Sequence, residues 1–451
     1  MSAESPLGGG QQGPPAELLL RDVHVLDPRS GLDRRLDVLV REGTVAELAE
    51  PGTAAASGAD TETIAGDGRL RLLPAFFDPH VHLRTPGQEH KEDLDSGTRA
   101  AAAGGYCGVI AMPNTDPVLD SAPLLRSLRD AAAREARIPV GFLAAVTRGL
   151  QGEQLTEMAE LRQEGALGFS DDGEPVESAG VLRKALQYQR LCGGVLALHE
   201  EDRSLSRDGV MHEGALSAAL GLDGIPTVAE STMVARDAEL AGYEEARVHF
   251  QHLSCAASAQ AVASAKARGW RVSAEVSPHH LLLTDESVRG MNTAMKMHPP
   301  LTSEEDRTAL VEALRDGTID CVATDHAPHA REEKEVPFEQ APMGTTGLET
   351  SFAALYSGLV LPGLLELGVL VERMSAGAPL FGLEAPTIAP GRPADMVLVD
   401  LDEHWTAGEH GWQSRSENCC FAGRRLQGRV QLTLAAGQLV HRDRALAPAG
   451  A

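Results

Sequence analysis

The sequence has no Cys-x-x-Cys pair, only five lysines among its 451 residues, and no apolar run near the roughly 18 residues of a membrane-spanning helix. The six cysteines are scattered, and Cys107 and Cys321 lie inside apolar runs, where a reduced, buried thiol is the usual state. The N-terminus carries no signal-peptide core. We therefore expect a reduced, soluble, cytoplasmic protein without a membrane partner.

Positive charge is also scarce. Forty Lys and Arg residues oppose 65 Asp and Glu residues, which gives a formal net charge of −25. Affinity for phosphate comes mostly from cationic side chains, so this balance argues against a nucleic-acid partner and against an anionic membrane surface. An anionic small molecule can still bind where cations are concentrated locally.

Both ends of the chain contain short strand-like runs. Residues 1–16, which include Gly8-Gly9-Gly10 and Pro14-Pro15, are predicted to form a flexible tail. Short strand-like runs separated by turn residues fill residues 17–70, and similar runs return in residues 385–451. We predict that both termini together build one small β-sandwich domain.

The middle of the chain, residues 71–384, alternates strands and helices. Its eight strand-like runs are 72–77, 107–111, 140–145, 166–169, 195–198, 247–250, 271–275 and 320–323. Helical stretches between them cover 94–103, 122–136, 178–191, 228–241, 256–267 and 304–314. Eight such units predict an α/β fold, a (β/α)8 TIM-type barrel. A doubly wound open sheet is the competing fold, but it usually carries a Gly-rich loop after its first strand, and none follows residue 77 here.

Polar side chains follow most of the predicted strands. Reactive groups of such a barrel lie where strands end and loops begin. The candidates at those ends are His80, His82, Arg84, Asn114, Asp171, Asp172, His199, His252 and Asp325. An isolated His-x-His pair is more often two core histidines than a metal site. A metal centre is instead favoured by four histidines and two aspartates at one rim of one barrel, namely His80, His82, His199, His252, Asp172 and Asp325.

Imidazole and carboxylate ligands suit borderline-soft divalent ions, zinc above all. Two such ions about 3.5–4 Å apart form the two-metal hydrolytic arrangement, in which bound water has a pKa of about 7. Asp171 and Asp172 are the carboxylates available to bridge the ions. Asp325 could accept a proton, and Arg84 and Asn114 offer donors to an anionic, planar substrate.

Seven motifs carry a family resemblance: DPHVHLRTPG (78–87), AMPNTDP (111–117), GFSDDG (168–173), HLS (252–254), AEVSPHHLLLTD (274–285), GTIDCVATDHAPH (317–329) and APMGTTGLET (341–350). Together they resemble the long, type I dihydroorotase family of bacteria, in the amidohydrolase superfamily, over residues 18–440. The resemblance implies reversible cyclisation of N-carbamoyl-L-aspartate to (S)-dihydroorotate plus water, the third step of de novo pyrimidine (UMP) biosynthesis. It also implies a binuclear centre of two Zn²⁺ per subunit.

The resemblance further implies a role for each matching residue. The first zinc would be bound by His80, His82 and Asp325, the second by His199 and His252, and Asp172 would bridge them. Asp325 would also be the catalytic acid and base. Substrate would be held by His82, Arg84, Asn114, His298, His329, Met343 and Gly344.

Two positions, one that departs from the family and one that separates it from related enzymes, bear on these implications. The family usually has Asn before the Pro299-Pro300 pair, whereas this chain has His298, whose charge depends on pH. Related dihydropyrimidinases, hydantoinases and allantoinases bridge their metals with a carboxylated lysine. Asp172 stands at that place here and no lysine is near it in sequence, which favours a dihydroorotase.

Two alternatives stay open. One is another cyclic amidohydrolase, such as a dihydropyrimidinase, hydantoinase or allantoinase. The other is a non-catalytic dihydroorotase-like subunit of aspartate transcarbamoylase, which should have lost metal ligands, although none is missing here. A homodimer is expected, and an active enzyme could also associate with aspartate transcarbamoylase. Asp171 is expected to orient its loop, and His249 to face away from the site.

Overall fold

The computed structural model describes residues 6–10, 13–56, 61–443 and 446. Its strands fall into two eight-stranded sheets and one two-stranded ribbon. In chain order the strands are β1 (Leu18–Asp27), β2 (Leu32–Arg41), β3 (Thr44–Ala49), β4 (Glu62–Ala65), β5 (Arg71–Pro74), β6 (Phe76–Val81), β7 (Tyr106–Ala111), β8 (Val140–Ala144), β9 (Gly168–Phe169), β10 (Leu196–Leu198), β11 (Met211–His212), β12 (Gly224–Ile225), β13 (Val248–Phe250), β14 (Val272–Val276), β15 (Cys321–Val322), β16 (Met396–Thr406), β17 (Arg425–Ala435) and β18 (Gln438–Arg442).

The helices are α1 (Leu94–Ala103), α2 (Ala122–Glu135), α3 (Met158–Gln163), α4 (Ala179–Cys192), α5 (Arg203–Ser206), α6 (Ala215–Leu220), α7 (Val228–Glu244), α8 (Ala256–Ala267), α9 (Pro278–Leu282), α10 (Glu304–Asp316), α11 (Arg331–Lys334), α12 (Ser351–Leu355), α13 (Leu367–Ser375) and α14 (Gly377–Leu380). Local chemistry sets their ends. Ser303 caps α10 by accepting the amide of Asp306, and Gly317 ends the helix in the left-handed region at φ +89°. None of the helices in the described part of the chain combines the length and hydropathy needed to cross a membrane.

The first eight-stranded sheet is built from both ends of the chain. Its order is β18-β17-β16-β5-β1-β2-β3, with β4 beside β1. Apolar side chains from its N-terminal and C-terminal strands, such as Val38 and Leu432, share one buried cluster. The predicted small β domain from both termini is thus confirmed as part of the fold, and its strands form one continuous sheet by hydrogen bonding.

The second sheet is the barrel. Its order is β15-β14-β13-β10-β9-β8-β7-β6, and the described pairs are parallel. Val81 bridges to His326 beyond β15, and the His82 amide donates to the His326 carbonyl at 2.9 Å, so the sheet nearly closes on itself. Strands such as β7 are buried at every position, as expected when helices cover a parallel sheet. The predicted TIM-type barrel is confirmed.

The first barrel strand differs from its prediction over 72–77. β5 pairs with β1 and β16 of the terminal sheet, and the barrel strand β6 begins only at Phe76. The Ala75 amide donates to Asp395, whereas the Phe76 amide donates to Gly105 of the barrel, so the chain changes sheets here. A continuous apolar run serves either sheet equally well and hides this change from a sequence pattern.

The predicted tail also makes contacts. Gly8 forms an antiparallel bridge with Val140 at the start of β8, with N–O distances of 2.9 and 2.7 Å. Residues 1–5 and 11–12 of that tail, and residues 444–445 and 447–451 of the predicted C-terminal part, lie outside the described residues. The domain boundaries at 16, 70 and 384 stay predictions.

Candidate metal centre

The rim at the carboxyl ends of the barrel strands holds the candidate ligands. Asp78 is buried within β6, the first barrel strand. Its carboxylate accepts the Thr324 amide at 3.2 Å and the His80 amide at 3.1 Å, and so joins β6 to the segment after β15, the last barrel strand. Arg84, His252 and Asp325 adopt left-handed backbone at φ +58°, +31° and +47°. Such conformations cost energy in residues other than glycine and cluster at functional sites.

The six predicted ligands converge on this rim. Single atoms of His80, His82 and Asp325 all lie within 4.8 Å of one another, and so do those of His80, Asp172 and His252. His199 Nδ1 joins the second group, 2.9 Å from His252 Nε2 and 3.7 Å from Asp172 Oδ1. Asp172 therefore faces both groups, as a bridging carboxylate must.

The spacing of the ligand atoms suits a divalent ion. Four ligands about 2.0–2.1 Å from a zinc in a tetrahedron lie about 3.4 Å from one another. His80 Nε2 lies 3.4 Å from Asp172 Oδ1, and Asp172 Oδ1 lies 3.5 Å from His252 Nε2. Within the described residues, His80 Nε2 and Asp172 Oδ1 are buried without a hydrogen-bond partner. Buried polar atoms rarely stay unpaired, and a cation between them would satisfy both.

His80 is oriented by a buried carboxylate. Its Nδ1 donates to Glu275 Oε1 at 2.6 Å, which leaves the Nε2 lone pair facing the site. The other oxygen of Glu275 accepts from His249 Nε2 at 2.9 Å. Burial alone would raise the pKa of Glu275, but His80 and His249 lower it to about 2. A carboxylate behind a histidine in this way fixes the tautomer that binds metal.

His82 is oriented by an amide. Its Nδ1 lies 2.9 Å from Asn114 Oδ1, and its Nε2 lies 3.1 Å from Asp325 Oδ1 and 3.5 Å from Asp172 Oδ2. The Asn114 Nδ2 group donates to Asp172 Oδ2 at 3.3 Å. Asn114, predicted as a substrate contact, thus also links two predicted metal ligands.

The buried carboxylate of the cluster is stabilised by positive charge. Burial alone would raise the pKa of Asp172, but the charges of His80 and His82 hold that pKa well below its usual range. The pKa of His80 is raised in return, because Asp172 and Glu275 outweigh burial. A metal ion can replace such protons, since imidazole binds metal only when it is neutral.

Fewer hydrogen bonds from the protein orient the ligands at the His199 end of the cluster. His252 Nδ1 and His199 Nε2 are buried without a hydrogen-bond partner among the described residues. Burial, with the charges of His298 and His252, lowers the pKa of His199 to about 3, so its imidazole is neutral. His298 Nε2 lies 3.0 Å from Glu201 Oε1, and the His298 ring meets the His199 ring edge to face with centroids 4.6 Å apart.

The remaining predicted substrate contacts lie beside the His82 end. Arg84 is buried, and its Nε donates to the Pro328 carbonyl at 3.2 Å. His329 Nε2 donates to the Met343 carbonyl at 2.8 Å. Gly344 has φ +137°, and a Cβ there would lie 2.9 Å from His329 Nε2, so only glycine fits. Arg84, His329, Met343 and Gly344 therefore share one wall of the site.

Two supporting carboxylates escaped sequence reasoning. Glu275 contacts the cluster through His80, which lies 195 residues away in the chain, and Glu201 contacts it through His298. The available signal at Glu275 was a charged residue between Ala274 and Val276 in an apolar strand. Asp171 accepts the amides of Val146 and Thr147 at 2.7 and 3.0 Å, which confirms its expected role in orienting the loop.

The chain has many relatives among known proteins. A model of the dihydro-orotase-like family matches residues 68–258. A dihydroorotase of Geobacter metallireducens is 43% identical, with the match covering 94% of this chain and 99% of the relative. One from Anaeromyxobacter dehalogenans is 46% identical over 94% of this chain and 98% of its own length.

Solved structures with a similar fold include hydrolases of other names. The L-hydantoinase of Arthrobacter aurescens superposes with a TM-score of 0.84 at 24% identity, covering 96% of this chain and 97% of that one. The dihydropyrimidinase of Brevibacillus agri gives 0.82 at 24% identity, with 96% of each chain covered. These likenesses bear on the fold alone, whereas the sequence relatives decide the family. The chain therefore belongs to the dihydroorotase family and is a cyclic amidohydrolase.

Proposed function

We propose that this chain reversibly cyclises N-carbamoyl-L-aspartate to (S)-dihydroorotate plus water, in cytoplasmic pyrimidine biosynthesis, with two zinc ions held at the rim. The observation that carries the proposal is Asp172, which lies 3.4 Å from His80 and 3.5 Å from His252 and so faces both ligand groups. His80, His82 and Asp325 would hold one ion, and His199 and His252 the other.

A bound pair of zinc ions supplies a water with a pKa of about 7 and polarises the carbonyl that is attacked. In the hydrolytic direction the water oxygen bonds to the ring carbonyl carbon, and the ring C–N bond breaks. One proton must move from that water to the departing amide nitrogen. Asp325 Oδ1, 3.1 Å from His82 Nε2, is the carboxylate assigned to carry it.

Substrate orientation falls to the wall beside His82. Dihydroorotate carries a carboxylate, and the buried Arg84 guanidinium supplies a fixed cation in a chain of net charge −25. Asn114 Nδ2 would donate to the same carboxylate, and His329, whose Nε2 donates to the Met343 carbonyl, would lie beside it. The residues that would hold the metal and the cationic Arg84 would together orient the ring for attack on one face.

The test is hydrolysis of (S)-dihydroorotate by the purified full chain, before and after dialysis against a chelator and after zinc is returned. We expect about two zinc per chain, loss of turnover with the metal, and recovery on its return. Dihydrouracil and hydantoin, which lack the carboxylate, should be poor substrates. Equal turnover of dihydrouracil, or turnover that survives metal removal, would overturn the proposal.

A further inference from the structure

Two of the five lysines in this chain are buried next to each other behind the Met343–Gly344 wall. Lys296 is 4% exposed and Lys334 is 8% exposed. Burying an ammonium group is costly unless it is paired or fully hydrogen-bonded. Within the described residues neither group forms an ion pair with a carboxylate, and both donate to main-chain carbonyls instead.

The carbonyls that these lysines hold belong to the segment leading into the wall. Lys296 Nζ donates to the carbonyls of Glu339 at 3.0 Å and Ala341 at 2.8 Å. Lys334 Nζ donates to the carbonyl of Pro342 at 2.7 Å. The carbonyl of Lys296 in turn accepts the Gly344 amide at 2.8 Å. Hydrogen bonds to the two lysines thus hold the main chain of residues 339–344.

The same lysines join this segment to the other parts of the wall. Lys334 Nζ also donates to the Thr293 carbonyl at 3.0 Å, on the stretch that leads to His298. Lys334 ends the short helix α11, which directly follows His329. Stretches 293–298, 329–334 and 339–344 therefore meet at one pair of ammonium groups, and each carries a predicted substrate contact.

Lys266 shows the more usual arrangement. Its Nζ donates to the Gly317 carbonyl at 3.1 Å, but it also pairs with Asp320 Oδ2 at 2.7 Å. Lys266 lies in the last turn of α8, and its partners Gly317 and Asp320 precede β15, whereas Asp325 follows that strand. A carboxylate neutralises Lys266, whereas no carboxylate among the described residues forms an ion pair with Lys296 or Lys334. Burial lowers the pKa of Lys296 and, with the charge of Lys296, lowers the pKa of Lys334 to about 7, so the pair keeps a partial positive charge at neutral pH. Burial and the charges of Arg84 and Lys334 lower the pKa of His329 to about 3, so that charge reaches the wall.

We propose that Lys296 and Lys334 are positioning residues that hold the Met343–Gly344 wall in place for an anionic substrate. The proposal rests on the dihydroorotase activity proposed above. Binding of the substrate, rather than the chemical step, is what the pair controls, because the hydrogen bonds described for both Nζ atoms go to main-chain carbonyls and not to predicted metal ligands. A wall released from the pair would bind dihydroorotate weakly and still turn over what it binds.

The test compares Lys334→Met and Lys296→Met with the matched control Lys266→Met, all in the zinc-loaded full chain. For the first two variants we expect the KM for dihydroorotate to rise about tenfold with kcat within about twofold of wild type. Hydrogen exchange of residues 336–346 should quicken in both. Neither quantity should change in the Lys266 variant.

An unchanged KM, unchanged exchange in 336–346, or an equal effect of Lys266→Met would each overturn the proposal. Lys334→Gln keeps N–H donors without the charge and serves if Lys334→Met does not fold, with the same outcomes deciding. If wild type fails to hydrolyse dihydroorotate, the proposed function fails. The exchange comparison alone then decides whether the lysines hold the segment.

Discussion

The two ends of the ligand cluster are held differently by the protein. At one end, His80 donates to Glu275 and His82 to Asn114, so protein groups set both tautomers. At the other, His252 Nδ1 and His199 Nε2 have no hydrogen-bond partner among the described residues. Protein groups therefore orient the ligands of the His80–His82 end, which we call the prepared end, before any cation arrives. At the other end His199 Nδ1 lies 2.9 Å from His252 Nε2, and we expect a cation to add order there.

Replacing Asp325 tests the chemistry of the prepared end and should have the largest effect. Asp325→Asn keeps the shape of a side chain that lies 3.1 Å from His82 and 3.5 Å from His80, but it cannot carry the proton. We expect kcat to fall by at least about 1,000-fold, with most of the metal and the fold retained. Steady-state rates and metal content per chain measure this. A near-normal rate would show that another group moves the proton.

Removing the charge behind His80 should weaken the prepared end. Glu275→Gln keeps the shape but loses the charge that holds the His80 tautomer, so metal affinity should fall about 10- to 100-fold. Competition with a chelating dye measures the affinity. Asp37→Asn is the matched control: Asp37 is also buried and accepts the Asp22 and Gly52 amides, both at 2.9 Å, in the terminal sheet. Equal loss in both variants would contradict the comparison.

Metal loading should order the two ends unequally, with the smallest effect of the three. A ligand stabilises whatever it binds, and the less ordered end has more to gain. We expect zinc to slow hydrogen exchange about tenfold near His199 and His252, and about twofold or less along β6. Exchange mass spectrometry on metal-free and zinc-loaded protein compares these peptides. Equal slowing at both ends would mean that they are equally prepared.

Sequence patterns predicted the elements that repeat and missed the pairings that do not. Helices α1 and α8 have the bounds predicted for them, and all eight barrel strands are present. Strand ends meet at one rim in any such barrel, so the convergence of the six predicted ligands could be predicted from the motifs. Glu275 lies 195 residues from the histidine it supports, and no local pattern records that contact. No local pattern shows either that the chain passes from the terminal sheet to the barrel at Ala75.

The sheet built from both termini has a consequence for synthesis. β5 sits between β1, made just before it, and β16, which begins only at Met396. During synthesis, the apolar edge of β5 that pairs with β16 stays uncovered until β16 has been made. The pairing of β16 with β5 therefore comes late in synthesis, and it covers the strand that leads directly into the first barrel strand, β6.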